Sequence, residues 1–527
     1  MKCIRLISIG MTLLAAAIPV QLAAQEDHSD GKHKHHHYKL VDMGTLGGPE
    51  SYINGFEYHG AVQTLNNAGT LTGWADTPKL DPYGLSTNAY GNFCFNYDGT
   101  PCYVSRAFQW QDGVKSELPG LHRGLSSATA WISANGLIAG TSQNGDTDPL
   151  DPGSLGNFPE DRAVLWRDGK IIDLGTLPEP EGGYESGAQA VNSSGQVVGW
   201  ALNTIPDPYF FVGFSSVFYD YYQPVYPYQE RAFFWENGVM QDLGTLGTGS
   251  DALAMAINER GQVIGISYTS STANQVTTPC GSGPTLDPFL WDKHSGMIDL
   301  GTLGGTCGIP SWINNRGQVV GSSDLGGDQN AHTFLWTKEN GMQDLGTLGG
   351  SSSGPSMIND RGEVVGESLL PGDTQGDAFL WKNGMMYDLG TLDGCAAALA
   401  INARSQVVGN WGDFPNCDTG AFLSEDGGPV VDLRTLISPP TNLSLLVIGI
   451  NDRGEIAGNG DNASDIDHAI LLIPCDEHHP GIDGCDYSLV DVAPPIPASR
   501  TPIGTQWRHQ FRRSNRYHFP GYNQLAR

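Results

Sequence analysis

Basic residues are scarce. The 527-residue chain has 28 Lys and Arg against 57 Asp and Glu, a formal charge of −29. A surface of that sign repels phosphate, so no nucleic-acid partner is expected. Beyond the first 24 residues no apolar run is long enough to cross a bilayer, and no membrane span is expected. No segment carries a sustained 3.6-residue apolar period, which argues against a helical bundle. There is no CxxC pair, so structural zinc and thioredoxin-like chemistry lack their ligands. GxSxG, HExxH, a P-loop and a GxGxxG turn are all missing, and no catalytic residue can be named. The acidic stretches at Asp146, Asp148 and Asp151 and at Asp461, Asp465 and Asp467 do not follow calcium-loop spacing and read as solvated loops. No metal or cofactor is expected.

What is present begins with a leader. Lys2 and Arg5 precede an apolar stretch from Leu6 to Ala24, and small residues (Ala23, Ala24) precede the polar switch at Gln25, the pattern of an export signal. The protein is therefore expected to be secreted or periplasmic. Glycine is abundant, at 70 residues, which suits short strands joined by tight turns. Of the 9 cysteines, Cys3 falls in the leader. The remaining even set fits disulfides in an oxidising compartment.

Three phrases recur along the chain. Asp-Leu-Gly-Thr-Leu begins at Asp173, Asp242, Asp299, Asp344 and Asp388, with degenerate copies at Asp42, Glu117 and Asp432. A phrase of the form Ile-Asn-x-x-Gly-x-Val-x-Gly occupies 65–73, 132–140, 191–199, 257–265, 313–321, 358–366, 401–409 and 450–458. An Ala-Phe-Leu-Trp-like run ends at Trp110, Trp166, Trp235, Trp291, Trp336 and Trp381, with Ser424 and Leu472 in the last two units. Each unit thus holds four short apolar runs, a to d, bounded by turn residues. The a–b turn carries Gly in every unit except at Ser405. The c–d turn is Asp112-Gly113, Asp168-Gly169, Asn237-Gly238 or Asn383-Gly384, a two-residue hairpin signal. Isolated four-stranded sheets are marginal, and stacking them around a ring buries their faces. The expected fold is all-β, a single β-propeller of eight four-stranded blades. The lone d-type strand after Lys39 would supply the strand that the last unit lacks. The alternative is seven blades with one irregular unit. The c-strand Trp residues are assigned to the core.

In such blades the a–b and c–d turns share one face, and the b–c and d–a loops share the other. Units 1–4 carry long b–c insertions (74–106, 141–162, 200–231, 267–287), and long loops on rigid scaffolds are where binding concentrates. The third insertion is dense in aromatics. Tyr209, Phe214, Phe218, Tyr219, Tyr222 and Tyr226 are the candidate ligand-binding residues; the plainer reading packs the loop on its own blade. The loop geometry pairs Cys280 with Cys307, Cys395 with Cys417, Cys94 with Cys102 and Cys475 with Cys485. His33, His35, His36 and His37 read as a disordered linker and not as a metal site. Residues 475–527 read as a disulfide-bearing segment and then a disordered basic tail with Arg500, Arg508, Arg512, Arg513, Arg516 and Arg527.

The recurring Ala-Phe-Leu-Trp, Asp-Leu-Gly-Thr-Leu-Gly-Gly and Ile-Asn-x-x-Gly-x-Val-Val-Gly phrases resemble the HAF-repeat family, the probable extracellular repeat proteins of bacteria. His468-Ala469-Ile470 and His332-Thr333-Phe334 come closest to its naming triplet. The resemblance covers about 39–474 and implies an extracellular repeat fold, without catalytic residues to carry over. The chain divides into 1–24 (signal), 25–38 (linker), 39–474 (propeller) and 475–527 (tail). The function expected is that of an exported, monomeric binding or scaffold protein recognising a glycan or extracellular protein through the loops of blades 1–4. The alternatives are a carbohydrate-active hydrolase or lyase, whose carboxylates would leave no readable spacing here, and a purely structural envelope protein.

Overall fold

The repeating apolar runs form strands where the sequence places them. The structure is a computed structural model that describes residues 34–53, 62–82, 102–147, 159–178, 182–207, 209, 228–274, 283–441, 443–461 and 467–491, with the backbone alone of 90–91 and 94–95. The leader, the Arg-rich end of the tail, and Phe214, Phe218, Tyr219, Tyr222 and Tyr226 lie outside the described residues. One 3₁₀ turn, Leu433–Thr435, is the sole helical element among them.

Six separate four-stranded sheets and one eight-stranded sheet account for the units. The eight-stranded sheet is two blades joined by a single parallel bridge, Leu286 to Cys307. Within each blade the strands run a-b-c-d in antiparallel order. Strand Tyr38–Asp42 pairs antiparallel with Asp467–Pro474 and becomes strand d of the last blade. That completes eight blades. Blade 8 then meets blade 1, where the Ser51 hydroxyl accepts from the Ala469 N–H and Tyr52 donates to Asp467. The molecule is an eight-bladed β-propeller closed by its N-terminal strand.

Turn chemistry fixes each hairpin. Asp112-Gly113, Asp168-Gly169, Asn237-Gly238 and Asn383-Gly384 all have both residues at positive φ, the backbone of a type I′ turn, whose twist matches that of the strands it joins. The a–b turns place Gly at φ between +75° and +88°, and Ser405 holds the same place at +60°. A second glycine, the last of Val-x-Gly, is set by close approach. At Gly265 a methyl group would fall on the Leu253 carbonyl and the Phe289 ring, beside the bulge at Ala254/Ala256 in strand a.

The core lies between blades. The c-strand rings Phe108, Phe233, Phe289, Phe334, Phe379 and Phe422 are fully buried. Trp110, Trp166, Trp235, Trp291 and Trp336 are buried too. Phe234 of one blade packs on Trp291 of the next, with ring centroids 5.0 Å apart.

Around the axis the repeat asparagines link each blade to its neighbour. Asn314 is typical. Its Oδ1 accepts from the backbone of Arg316 and Gln318, each at 3.0 Å. Its Nδ2 donates to the Asn359 carbonyl at 2.9 Å and to Gln318 Oε1 at 2.8 Å. The same reach joins Asn66 to Ser133, Asn192 to Asn258, Asn258 to Asn314, Asn359 to Asn402, Asn402 to Asn451 and Asn451 back to Asn66. Ser133 replaces Asn in blade 2, and Asn135 spans to the Ser193 carbonyl instead.

The ends of the chain depart from the sequence reading. Lys34–His36 is not a free linker: it pairs with Leu489–Asp491, and His35 is buried against Glu425 at 2.7 Å. Beyond the last blade, His479 is buried between Asp476 (2.7 Å) and Glu455 (3.4 Å). Disulfides join Cys395 to Cys417 and Cys475 to Cys485, each pair as expected. Cys102 and Cys307 are also disulfide-bonded; Cys280 and the side chain of Cys94 lie outside the described residues.

Asn314→Ala leaves two backbone donors and one carbonyl without their partner in a buried turn. The expected loss is about 2–3 kcal/mol of unfolding free energy, read from chemical denaturation. Ser133→Asn adds the repeat amide's link to the Asn192 carbonyl beside that of Asn135 and is expected to gain about 1 kcal/mol.

Candidate functional site

The two faces differ in relief. In blades 1–3 the b and c strands are long: Leu71–Leu80 with Tyr103–Gln111, Ile138–Thr147 with Pro159–Arg167, and Val197–Pro206 with Tyr228–Glu236, each pair being 10 and 9 residues. In blades 4–7 neither strand exceeds 7 residues. Three adjacent hairpins therefore stand above the loop face as a wall. Their ends emerge from the core, and Leu80 (45%), Ile205 (41%) and nearby Tyr184 (38%) are exposed apolar side chains.

Tyr209, the one candidate aromatic among the described residues, is not free. Its ring meets Tyr268 edge-on at 6.0 Å, and its hydroxyl donates to the Ser271 carbonyl at 2.6 Å. Its N–H bonds Asp207 at 2.8 Å. It anchors the base of the third insertion on blade 4, the neighbouring blade, where the plainer reading packs that loop on its own blade.

Below the wall, one position at each blade junction takes different chemistry. At four junctions the residue seven before the repeat Asn (or Ser133) accepts from the preceding blade's c strand. Ser126 takes the Ser105 N–H, Glu185 the Asp161 N–H, Asp251 the Glu230 N–H and Ser352 the Ala331 N–H. Cys307 and Cys395, both disulfide-bonded, stand at the same place. Junctions 2/3 and 3/4 thus bury carboxylates together. Burial, then the neighbouring Asp207 charge, pushes the Asp251 carboxyl up to about 7. Asp207 and Glu230 are buried beside it. Glu185 and Asp251 hold backbone amides of the preceding blade and Asp207 holds that of Tyr209, so these buried acids stitch the blades together.

A second acid arrangement follows from the repeat. The first residue of the His-Ala-Phe triplet faces the Asp of Asp-Leu-Gly-Thr-Leu on the adjacent strand. His332 meets Asp344 at 2.9 Å, His468 meets Asp42 at 3.0 Å and Arg231 meets Asp242 at 3.0 Å. In blades 4 and 6 an acid replaces the base, giving Asp287 with Asp299 and Asp377 with Asp388. Burial first, then the facing Asp, raises Asp287 and Asp377 to about 7. Burial and Asp377 raise Glu367 to about 8. The Asp of the repeat also accepts from the Gly two residues on, as Asp344 does from Gly346 at 2.7 Å, so its conserved place in the blade is structural.

On the axis a chamber of about 360 Å³ is lined by a-strand residues. Trp131 of blade 2 and Trp312 of blade 5 stack across it, centroids 5.3 Å apart. Sequence reasoning missed this pair, since neither indole belongs to the recurring c-strand Trp. One group of metal-capable side chains occurs among the described residues, Glu367 with Cys395 and Cys417. Its two sulfurs are bonded to each other, so it offers no thiolate.

Fold and site together define a propeller with a walled loop face and an axial chamber. No protein-family model and no curated protein matches the chain. Among solved structures it is similar to an acylaminoacyl peptidase from Pyrococcus horikoshii (10% identity, 78% of this chain and 57% of that one, TM-score 0.37). It is also similar to the β-propeller domain of the Trilobed protease from Pyrococcus furiosus (8%, 67% and 99%, 0.36) and to TolB from Acinetobacter baumannii (12%, 56% and 62%, 0.28). The chain spans just over half the length of the first. The blade count rests on the sheet topology and the closure contacts described above.

The raised carboxyls bind a proton more tightly folded than unfolded. Their contribution is complete below about pH 4 and falls as pH rises through about 7. His479 acts in the same direction. Burial opposes its charge, but Glu455 and Asp476 outweigh that and hold its pKa above the usual 6.5, so its contribution fades as pH rises through that higher value. Asp377→His gives blade 6 the His–Asp pair of blades 5 and 8. Melting at pH 8 is expected to rise by about 2–4 °C, with a smaller change at pH 5, read by circular dichroism.

Proposed function

We propose that this protein is an exported recognition module that binds a glycan or an extracellular protein on the walled half of its loop face. The observation that carries this reading is the set of long hairpins of blades 1–3, whose ends expose Leu80 and Ile205, with Tyr184 exposed on the a strand beside Ile205. Exposed apolar side chains on a rigid rim offer contact area at little entropic cost. Disulfides fit an oxidising compartment, and among the described residues no helix is long and apolar enough to cross a membrane. Against a hydrolase stands the use of the convergent acids: Glu185 and Asp251 are engaged with backbone amides between blades. An active carboxylate pair has to meet solvent and substrate.

The test is a glycan array probed with the protein after leader removal, beside a Leu80→Ser, Tyr184→Ser, Ile205→Ser triple variant. Selective retention of one glycan class by the wild type, with at least a tenfold loss in the variant, is the expected result. Equal retention by both proteins would remove the wall from the reading. Absence of retention by either would leave the protein-partner branch, examined by cross-linking through a photoreactive group at position 205.

A further inference from the structure

The axial chamber is a consequence of ring size that the sequence fills on one side only. Two residues before each repeat Asn, the a strands point a side chain at the axis. In blades 2 and 5 that side chain is Trp131 and Trp312, which stack; the intervening blades 3 and 4 place Ala190 and Ala256 there. On the opposite side the same position holds Met357, Ala400, Gly449 and Thr64, all lining the chamber. Gly449 has nothing within 4 Å of where its Cβ would lie, so this stretch of wall faces open space. The chamber is therefore bounded by the Trp131–Trp312 pair on one side and by Met357, Ala400, Gly449 and Thr64 on the other.

The chemistry of the walls limits the occupant. Val62, Met357, Leu399 and Ile448 give apolar surface, and Trp131 and Trp312 add two indoles. The asparagines and acids at the mouth are already engaged. The asparagine amides hold neighbouring turns, and the next residues hold one another: Glu259 accepts from Ser193, Asp360 from Asn315, and Asp452 from Asn67. An anion would find no Lys, Arg or His among the lining residues, and a ligand needing many hydrogen bonds would lose more hydration than the Thr64, Ser311 and Ser356 hydroxyls could replace. An uncharged ring system would gain stacking on the indole and burial of its apolar area. The volume is within the range of small-molecule sites. The mouth opens on the tight-turn face, opposite the wall, so this site is independent of the reading proposed above.

We propose that the axial chamber binds an uncharged, planar aromatic molecule of about two fused or linked rings, stacked on Trp312 and seated against Gly449 and Ala400. The probe is 6-propionyl-2-(dimethylamino)naphthalene, an uncharged, planar two-ring molecule whose fluorescence shifts to the blue in apolar surroundings. The intact protein is expected to give saturable, one-to-one binding with a blue-shifted emission. Gly449→Trp builds a third indole into open space and should weaken binding at least tenfold while leaving the melting temperature at or above that of the wild type. The Leu80→Ser, Tyr184→Ser, Ile205→Ser variant serves as a surface control and should bind as the wild type does. If Gly449→Trp melts early, Ala400→Leu narrows the same chamber with a smaller change and carries the same expectation. No saturable binding by the wild type, or binding undiminished in a folded chamber-filling variant, would overturn the proposal. Loss of binding in the wall triple alone would place the probe on the loop face and overturn it equally.

Discussion

One side-chain amide, repeated at seven of the eight a–b turns, holds the ring to its diameter. The Oδ1 of each repeat asparagine closes its own turn, and its Nδ2 reaches the carbonyl of the next. Both ends of the amide are spent on backbone, in a buried place where unmade hydrogen bonds are costly. The chain of contacts runs around the axis and returns from Asn451 to Asn66. Because the spacing is set by backbone and amide, the hole in the middle does not shrink to suit the side chains that face it. Two tryptophans occupy part of that hole, and the rest is the chamber.

Away from the axis the repeat is permissive. A hydroxyl, a carboxylate or a half-cystine serves at the same junction position, because each can take or replace a cross-blade link. The substitution has an electrostatic cost. An acid in a junction that usually holds serine is desolvated, and Asp251 shifts accordingly. The Asp287–Asp299 and Asp377–Asp388 pairs arise from the same tolerance, where a base of the triplet has become an acid facing another acid. The excess of acidic residues is thus not all on the surface, and burial moves part of it up toward neutrality.

Much of the architecture was legible in the chain. Asp-Gly and Asn-Gly dipeptides located the c–d hairpins, and each adopts the required positive φ. The unpaired d strand at one end and the missing one at the other announced the closure at Tyr38–Asp42. Cys395–Cys417 and Cys475–Cys485 followed from loops on one face. What sequence could not supply was contact across the ring. Trp131 and Trp312 lie three blades apart, and their stacking depends on a diameter that no local spacing encodes. The opposed acids did leave a trace: Asp287 and Asp377 stand where other units have His or Arg, once that position is known to face the Asp of the next strand. The strand at Lys34–His36 escaped because its partner, Leu489–Asp491, lies beyond the last repeat, outside the pattern that organised the reading.

Closure through the strand at Tyr38–Asp42 sets a condition on how the molecule comes to exist. His468 and Asp42 meet across blade 8 although 426 residues separate them. Each interior blade can assemble as soon as its own hairpins have emerged, but the final one draws on the earliest strand made and on the latest. The earliest strand must therefore remain unpaired, its edge available, while seven sheets form around it. Bringing such distant segments together carries the entropy of a very long loop, and topologies dominated by distant pairings fold slowly. The last blade to form is the youngest part of the ring, and a chain halted anywhere before Asp467 is an open arc with two bare edges.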